Sequence, residues 1–170
     1  MLDIAIENDG EWDSSADWAT LVRRSAEAAI AESDFPLIAK AERPVELSVL
    51  LTTDEQVREL NSRWRGKDKP TNVLSFPQLD REQLEQSGAN GPELLLGDLV
   101  LAHGVCEREA EERGIPIEFH AAHLVVHGTL HLLGYDHEDE QSAREMEARE
   151  VRALARIGID NPYLVRDEAS

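Results

Sequence analysis

The sequence predicts an α+β fold in which one sheet is covered by helices. Strand-like patterns dominate the first two-thirds of the chain, and helical periodicity clusters at its end. The 170 residues contain no internal repeat and no low-complexity linker, so one domain spanning residues 1–170 is expected. Leu2, Ile4 and Ile6 alternate with Asp3, Ala5 and Glu7, the period of a half-buried strand. Trp18, Leu21, Val22, Ala26, Ala29 and Ile30 recur at helical spacing and stop before Pro36. Val45 to Leu51 reads as a second strand, after which Thr53 and Gln56 form a capping box that opens a helix. Gly66 and Pro70 end that helix, and Val73 to Phe76 is a short strand closed by Pro77. Residues 78–92 read as an exposed loop, and Leu94 to Ala102 as a strand interrupted at Gly97-Asp98. Three helices are expected after it, over about 103–113, 117–133 and 138–157. The last opens on Glu138-Asp139-Glu140 and carries Arg149, Arg152 and Arg156 toward its end, which complements the helix dipole without any functional role.

Lys and Arg number 17 against 35 Asp and Glu, a formal charge of −18. Such a chain is not held to nucleic acid or an anionic membrane by general electrostatic attraction. The balance is uneven, however, because residues 57–69 carry +3. No apolar run approaches the ~20 residues that span a bilayer, and the N-terminus lacks the basic start and apolar stretch of a signal peptide. Cys106 is the only cysteine and reads as a small buried hydrophobe. A cytoplasmic protein without membrane association is expected.

All six histidines lie between His103 and His137. Within that window runs His127-Gly128-Thr129-Leu130-His131-Leu132-Leu133-Gly134-Tyr135-Asp136-His137. His127 and His131 stand one helical turn apart on the same face. Gly134 can take the left-handed conformation and return His137 toward the first two rings. Three converging imidazoles form the ligand set of a catalytic zinc, which keeps a fourth position open for water. Two alternatives remain beside it: satisfied core histidines, and a structural zinc closed by Cys106. His103, His120 and His123 lack this geometry and read as helix-surface residues or as supports for the ligands. The spacing also fits the metzincin protease frame, but Gly128 stands where those proteases carry their glutamate base. Asp136 could substitute as a base or simply stabilise the turn.

The basic island comprises Arg58, Arg63, Arg65, Lys67 and Lys69, with Glu59 and Asp68 its only acids. It is either a solvated helix face or a source of an arginine fork for phosphate oxygens. Four blocks in this order are similar to the YbeY family of bacterial metal-dependent endoribonucleases. They are Leu60-Asn61 with Arg65-Gly66-Lys67-Asp68, then Pro70-Thr71-Asn72-Val73-Leu74-Ser75-Phe76-Pro77, then Leu96-Gly97-Asp98, and the histidine run itself. The resemblance covers nearly the whole chain. It implies a mixed, mostly four-stranded sheet packed with helices, with a zinc-binding helix-turn near the C-terminal third. It also implies one Zn2+ on His127, His131, His137 and water, with Arg65 and His127 as the residues on which cleavage depends. Asn72 departs from the aspartate common at its position, and its amide is expected to bond the loop or the start of the strand. The implied substrate is single-stranded rRNA, cut in 16S rRNA 3′-end maturation and ribosome quality control. The implied partners are the small ribosomal subunit and its assembly proteins, with no DNA. Other classes stay open: a ribosome-assembly binding factor whose metal is mainly structural, and a zinc hydrolase with a non-RNA substrate.

Overall fold

The computed structural model describes residues 2–9, 12, 16–40, 42–87 and 91–163. Four strands form one mixed sheet: β1 (Leu2–Asn8), β2 (Val45–Thr52), β3 (Val73–Pro77) and β4 (Leu94–Ala102), in the order β1-β2-β4-β3. β1 and β2 are parallel, as are β2 and β4, and β3 runs antiparallel to β4. Parallel neighbours require helical crossovers. These are supplied by α1 (Trp18–Ala31) between β1 and β2, and by α2 (Asp54–Arg65) before β3. The chain ends in α4 (His103–Arg113), α5 (Ile117–Leu132) and α6 (Glu140–Arg156).

Alternation along the strands sends side chains to two cores. Leu47, Val49 and Leu51 of β2, with Leu99 and Leu101 of β4, meet α1, α5 and α6 on the larger face. Val100 and Ala102 turn to the other face, where they pack with Leu74 and Val57 of α2. α5 is the central helix, touching α1, α4, α6, β3 and β4. Eleven of its sixteen residues are buried, which explains why its pattern is apolar nearly all round rather than amphipathic.

Two expectations need correction. The loop at 78–92 contains a short helix, α3 (Arg81–Gln86), opened by a full capping box between Asp80 and Gln83 and pinned by buried Leu84. Residues 88–90 of that loop lie outside the described residues. β4 is continuous through Gly97, whose φ of +138° places it where a Cβ would sit 2.3 Å from the Phe76 carbonyl oxygen. The irregularity falls instead in the pairing with β2, where the register shifts between Glu46 and Leu47. A 3-10 helix, Pro36–Lys40, also follows the turn after α1. No helix among the described residues is long and apolar enough to cross a membrane.

Candidate metal centre and active-site cavity

α5 carries His127 and His131 on one face, as their spacing predicts. The helix then ends in a tight reversal: Gly134 takes φ +92°, and the Tyr135 N–H donates to the Leu130 carbonyl at 3.0 Å. His137 returns beside the other two. The three ring centroids form a triangle with sides of 4.5, 5.3 and 5.7 Å, and one ring nitrogen from each lies within 4.8 Å of the others.

Protons on two of these rings are fixed by their partners. Glu150 Oε2 lies 3.1 Å from His127 Nδ1, and the Tyr135 carbonyl lies 2.9 Å from His131 Nδ1. An ionised carboxylate and a carbonyl can only accept, so both Nδ1 atoms carry hydrogen. In the neutral rings both Nε2 atoms are bare lone pairs, 3.0 Å apart. Facing lone pairs repel unless a cation lies between them. Tetrahedral coordination with metal–nitrogen bonds of about 2.0–2.1 Å sets ligands about 3.3 Å apart. The donor set therefore fits a metal ion. Burial, with the nearby His127 and His137 adding to it, pushes His131 down to about 4 and keeps it in the neutral, ligating form.

Glu150 is 1% exposed and accepts from three groups: His127 at 3.1 Å, His123 Nε2 at 2.5 Å and the Tyr163 hydroxyl at 2.7 Å. Burial alone would raise its pKa, but the hydrogen bonds from His123 and His127 outweigh it and hold the carboxyl near 2. Tyr135 is gripped on the other side of the reversal. Its hydroxyl accepts from the Asp34 N–H at 2.8 Å, and Arg81 and Arg149 stack on its ring at 5.0 and 4.8 Å. Arg149 therefore does more than complement a dipole: it also donates to the Glu32 carbonyl at 2.5 Å, tying α6 to the end of α1.

The three histidines line one cavity of about 820 Å³, and Arg65, Lys67, Lys69, Asn72 and His123 line it too. The histidine cluster and the Arg65, Lys67 and Lys69 end of the basic island, 62 residues apart between Arg65 and His127, are thus brought to one cavity, which Arg58 and Arg63 do not line. Arg65, the last residue of α2, donates to the Ser75 carbonyl at 2.6 Å and stacks over Phe76 at 5.6 Å. Asn72 bonds the start of β3, accepting from the Val73 N–H at 2.7 Å, and its amide donates to Glu109 at 3.0 Å. An aspartate there would set a second carboxylate against Glu109. Glu109 also meets His120 Nε2 at 2.8 Å.

Asp136 stabilises the turn, accepting from the His137 N–H at 2.7 Å. Cys106 is fully buried, which pushes its thiol well above the usual range, and it lies outside the histidine cluster. His103 stacks on Trp12 at 5.2 Å and does not line the cavity, whereas His123 supports Glu150. Glu150 and Tyr163 were not singled out in the sequence. The available signal was a carboxylate at the position between Met146 and Ala153/Leu154 on the buried stripe of α6.

Gly128 is explained by packing. A Cβ there would lie 2.7 Å from Leu99 Cδ2 and 3.3 Å from Ser75 Oγ, because α5 presses directly on the sheet. A protease-type glutamate has no room. Gly128→Glu is expected to destabilise the protein by at least about 3 kcal/mol in denaturant unfolding. An unchanged midpoint would show that α5 can lift from β3 and β4.

A family model described as Endoribonuclease YbeY matches residues 5–158. The Endoribonuclease YbeY of Sphingopyxis alaskensis is 48% identical over 168 residues, covering 98% of this chain and 100% of its own. That of Erythrobacter litoralis is 51% identical, covering 95% and 96% respectively, and that of Novosphingobium aromaticivorans is 50% identical, covering 96% and 97%. The solution structure of TM1509 from Thermotoga maritima aligns over 91% of each chain with a TM-score of 0.55 at 24% identity, a likeness of fold.

Proposed function

We infer the reaction from one premise: this chain belongs to the YbeY family of endoribonucleases, and as a member it is a nuclease acting on RNA. We propose that it is zinc-dependent and specific for single-stranded RNA, and that it works in 16S rRNA 3′-end maturation and ribosome quality control. The observation that carries the proposal is the meeting, in one cavity, of converging imidazole lone pairs and an arginine fork. His127, His131 and His137 hold the cation, which supplies Lewis acidity toward a phosphate oxygen and toward water when bound. Arg65 is the group placed to stabilise charge developing on the scissile phosphate. Its anchor on the Ser75 carbonyl and its stacking on Phe76 hold the guanidinium at the cavity edge before substrate arrives. Lys67 and Lys69 line the same wall and guide the phosphate backbone. The cavity, about 820 Å³, is where an unpaired strand would be held.

Bulk charge bears on where this happens. At −18 the chain repels free RNA except at its one basic segment. Delivery through the small ribosomal subunit and its assembly proteins, in the cytoplasm, solves that problem. In this reading residues 1–170 act as one domain.

Arg65→Ala is expected to lower kcat on a single-stranded RNA about 10²–10³-fold while metal content stays at the wild-type level. Wild-type cleavage by a metal-loaded Arg65→Ala would overturn the phosphate-directed role. Loss of a non-RNA hydrolase activity with RNA cleavage absent in both proteins would point to a different substrate.

A further inference from the structure

We propose that Trp64 is a stacking platform for a base of the RNA strand just outside the cavity, an inference that rests on single-stranded RNA being the substrate. Three observations place it there. Val57, Asn61 and Trp64 fall at i, i+4 and i+7 of α2, so they share one stripe of the helix. Val57 and Asn61 are buried, yet Trp64 at the last turn is 66% exposed. It makes no hydrogen bond or ring contact among the described residues. The other two tryptophans, Trp12 and Trp18, are buried in the core at 2% and 5%.

The second observation is position. Asn61 and Arg65, the neighbours of Trp64 along the helix, both line the cavity that holds the three histidines, whereas Trp64 does not. Trp64 thus lies next to the cavity lining along the helix, one residue from the arginine assigned to the scissile phosphate. Gly66 then turns left-handed at φ +68° and sends Lys67 and Lys69 back along the cavity wall.

The third is charge. Arg63, Arg65, Lys67 and Lys69 form no ion pair among the described residues. By contrast, every arginine of α6 is ion-paired, as are Arg58, Arg81 and Arg108. In a chain with 35 acidic residues, cations without a carboxylate partner that stand within five residues of an uncovered indole are complementary to one kind of polymer. That polymer carries a negative backbone and flat apolar faces, as an unpaired nucleic-acid strand does. Phosphates would meet the cations while a base covers the ring, a combination that tolerates any sequence because every base has a π-face. A duplex keeps its bases stacked on each other and offers no such face. The platform thus adds a reason for single-strand preference that does not depend on the cavity.

Because Trp12 and Trp18 are buried, the part of the intrinsic fluorescence that Trp64→Phe removes reports on the exposed indole. The metal-loaded full chain is mixed with a single-stranded oligoribonucleotide of about ten nucleotides, and emission is read before measurable cleavage. Parallel samples contain the same sequence as a duplex, or inorganic polyphosphate. We expect strong quenching by the single strand, little by the other two, and none in Trp64→Phe. In cleavage assays Trp64→Ala should raise KM about tenfold with kcat within about twofold, and Trp64→Tyr should restore KM. Cleavage of RNA with unmoved emission would overturn the platform while leaving the nuclease reading intact. Equal quenching by polyphosphate would overturn it in favour of a purely ionic patch. A spectrum that changes with protein concentration alone would overturn it in favour of a second copy covering the ring. Absence of both cleavage and quenching would sink the RNA reading itself.

Discussion

Replacing His131 with alanine is expected to abolish metal binding and to reduce RNA cleavage by about a thousandfold or more. His131 supplies one of the two Nε2 lone pairs that face each other at 3.0 Å, so its loss removes the charge pattern that calls for a cation. Its Nδ1 partner is the Tyr135 carbonyl in the reversal after α5, flanked by exposed Gly134 and Asp136, where water can replace the ring, so the fold should survive. The two effects separate by calorimetry. A ligand at a thousand times its Kd stabilises the folded state by about 4 kcal/mol. Added Zn2+ should therefore raise the Tm of the wild type and leave that of His131→Ala unmoved. RNA cleavage that survives metal loss would mean that the metal is structural, or that a contaminating nuclease produced the activity.

The contrast between His131 and Glu150 shows what the sequence makes legible. His127, His131, Gly134 and His137 are close in sequence, and their convergence follows from helical pitch and one left-handed glycine. β1 and β2 follow likewise from local alternation of apolar and polar positions. What local pattern cannot provide is pairing across distance. The meeting of Arg65 with the histidines depends on β3 lying antiparallel beside β4 and on α5 crossing both strands. α3 escaped notice because six residues with a single buried leucine carry almost no periodicity, although its capping box is written in Asp80 and Gln83. Glu150 looked like one more charge on an acidic helix. Only the packing of α6 against α5 turns its carboxylate inward, toward a ring 23 residues earlier in the chain.

That inward turn makes Glu150 a residue whose removal should cost much stability. Glu150→Ala strands the Nε2–H of His123, the Nδ1–H of His127 and the Tyr163 hydroxyl around an apolar gap. The expected destabilisation is about 3 kcal/mol or more. Metal affinity should also fall about 10–100-fold, because His127 can then flip its proton to Nε2 and withdraw the lone pair that ligates. Glu150→Gln separates the two roles. Its amide oxygen can still accept from one histidine, so the fold is largely kept, while the charge that favours Nδ1–H on His127 is gone. The pH dependence gives a second reading with a definite sign. The carboxyl is held near 2 in the folded state against an ordinary value of 4.5, so its stabilisation is fully present above 4.5. It is lost as pH falls from there toward 2. Metal-free His131, held near 4 against 6.5, adds a loss of the same sign between those values. Glu150→Gln should erase the lower window and retain the upper one. If metal-free wild type and Glu150→Gln show the same stability profile from pH 4.5 to 2, Glu150 is not ionised in the fold, and its hold on the His127 tautomer would have to be abandoned.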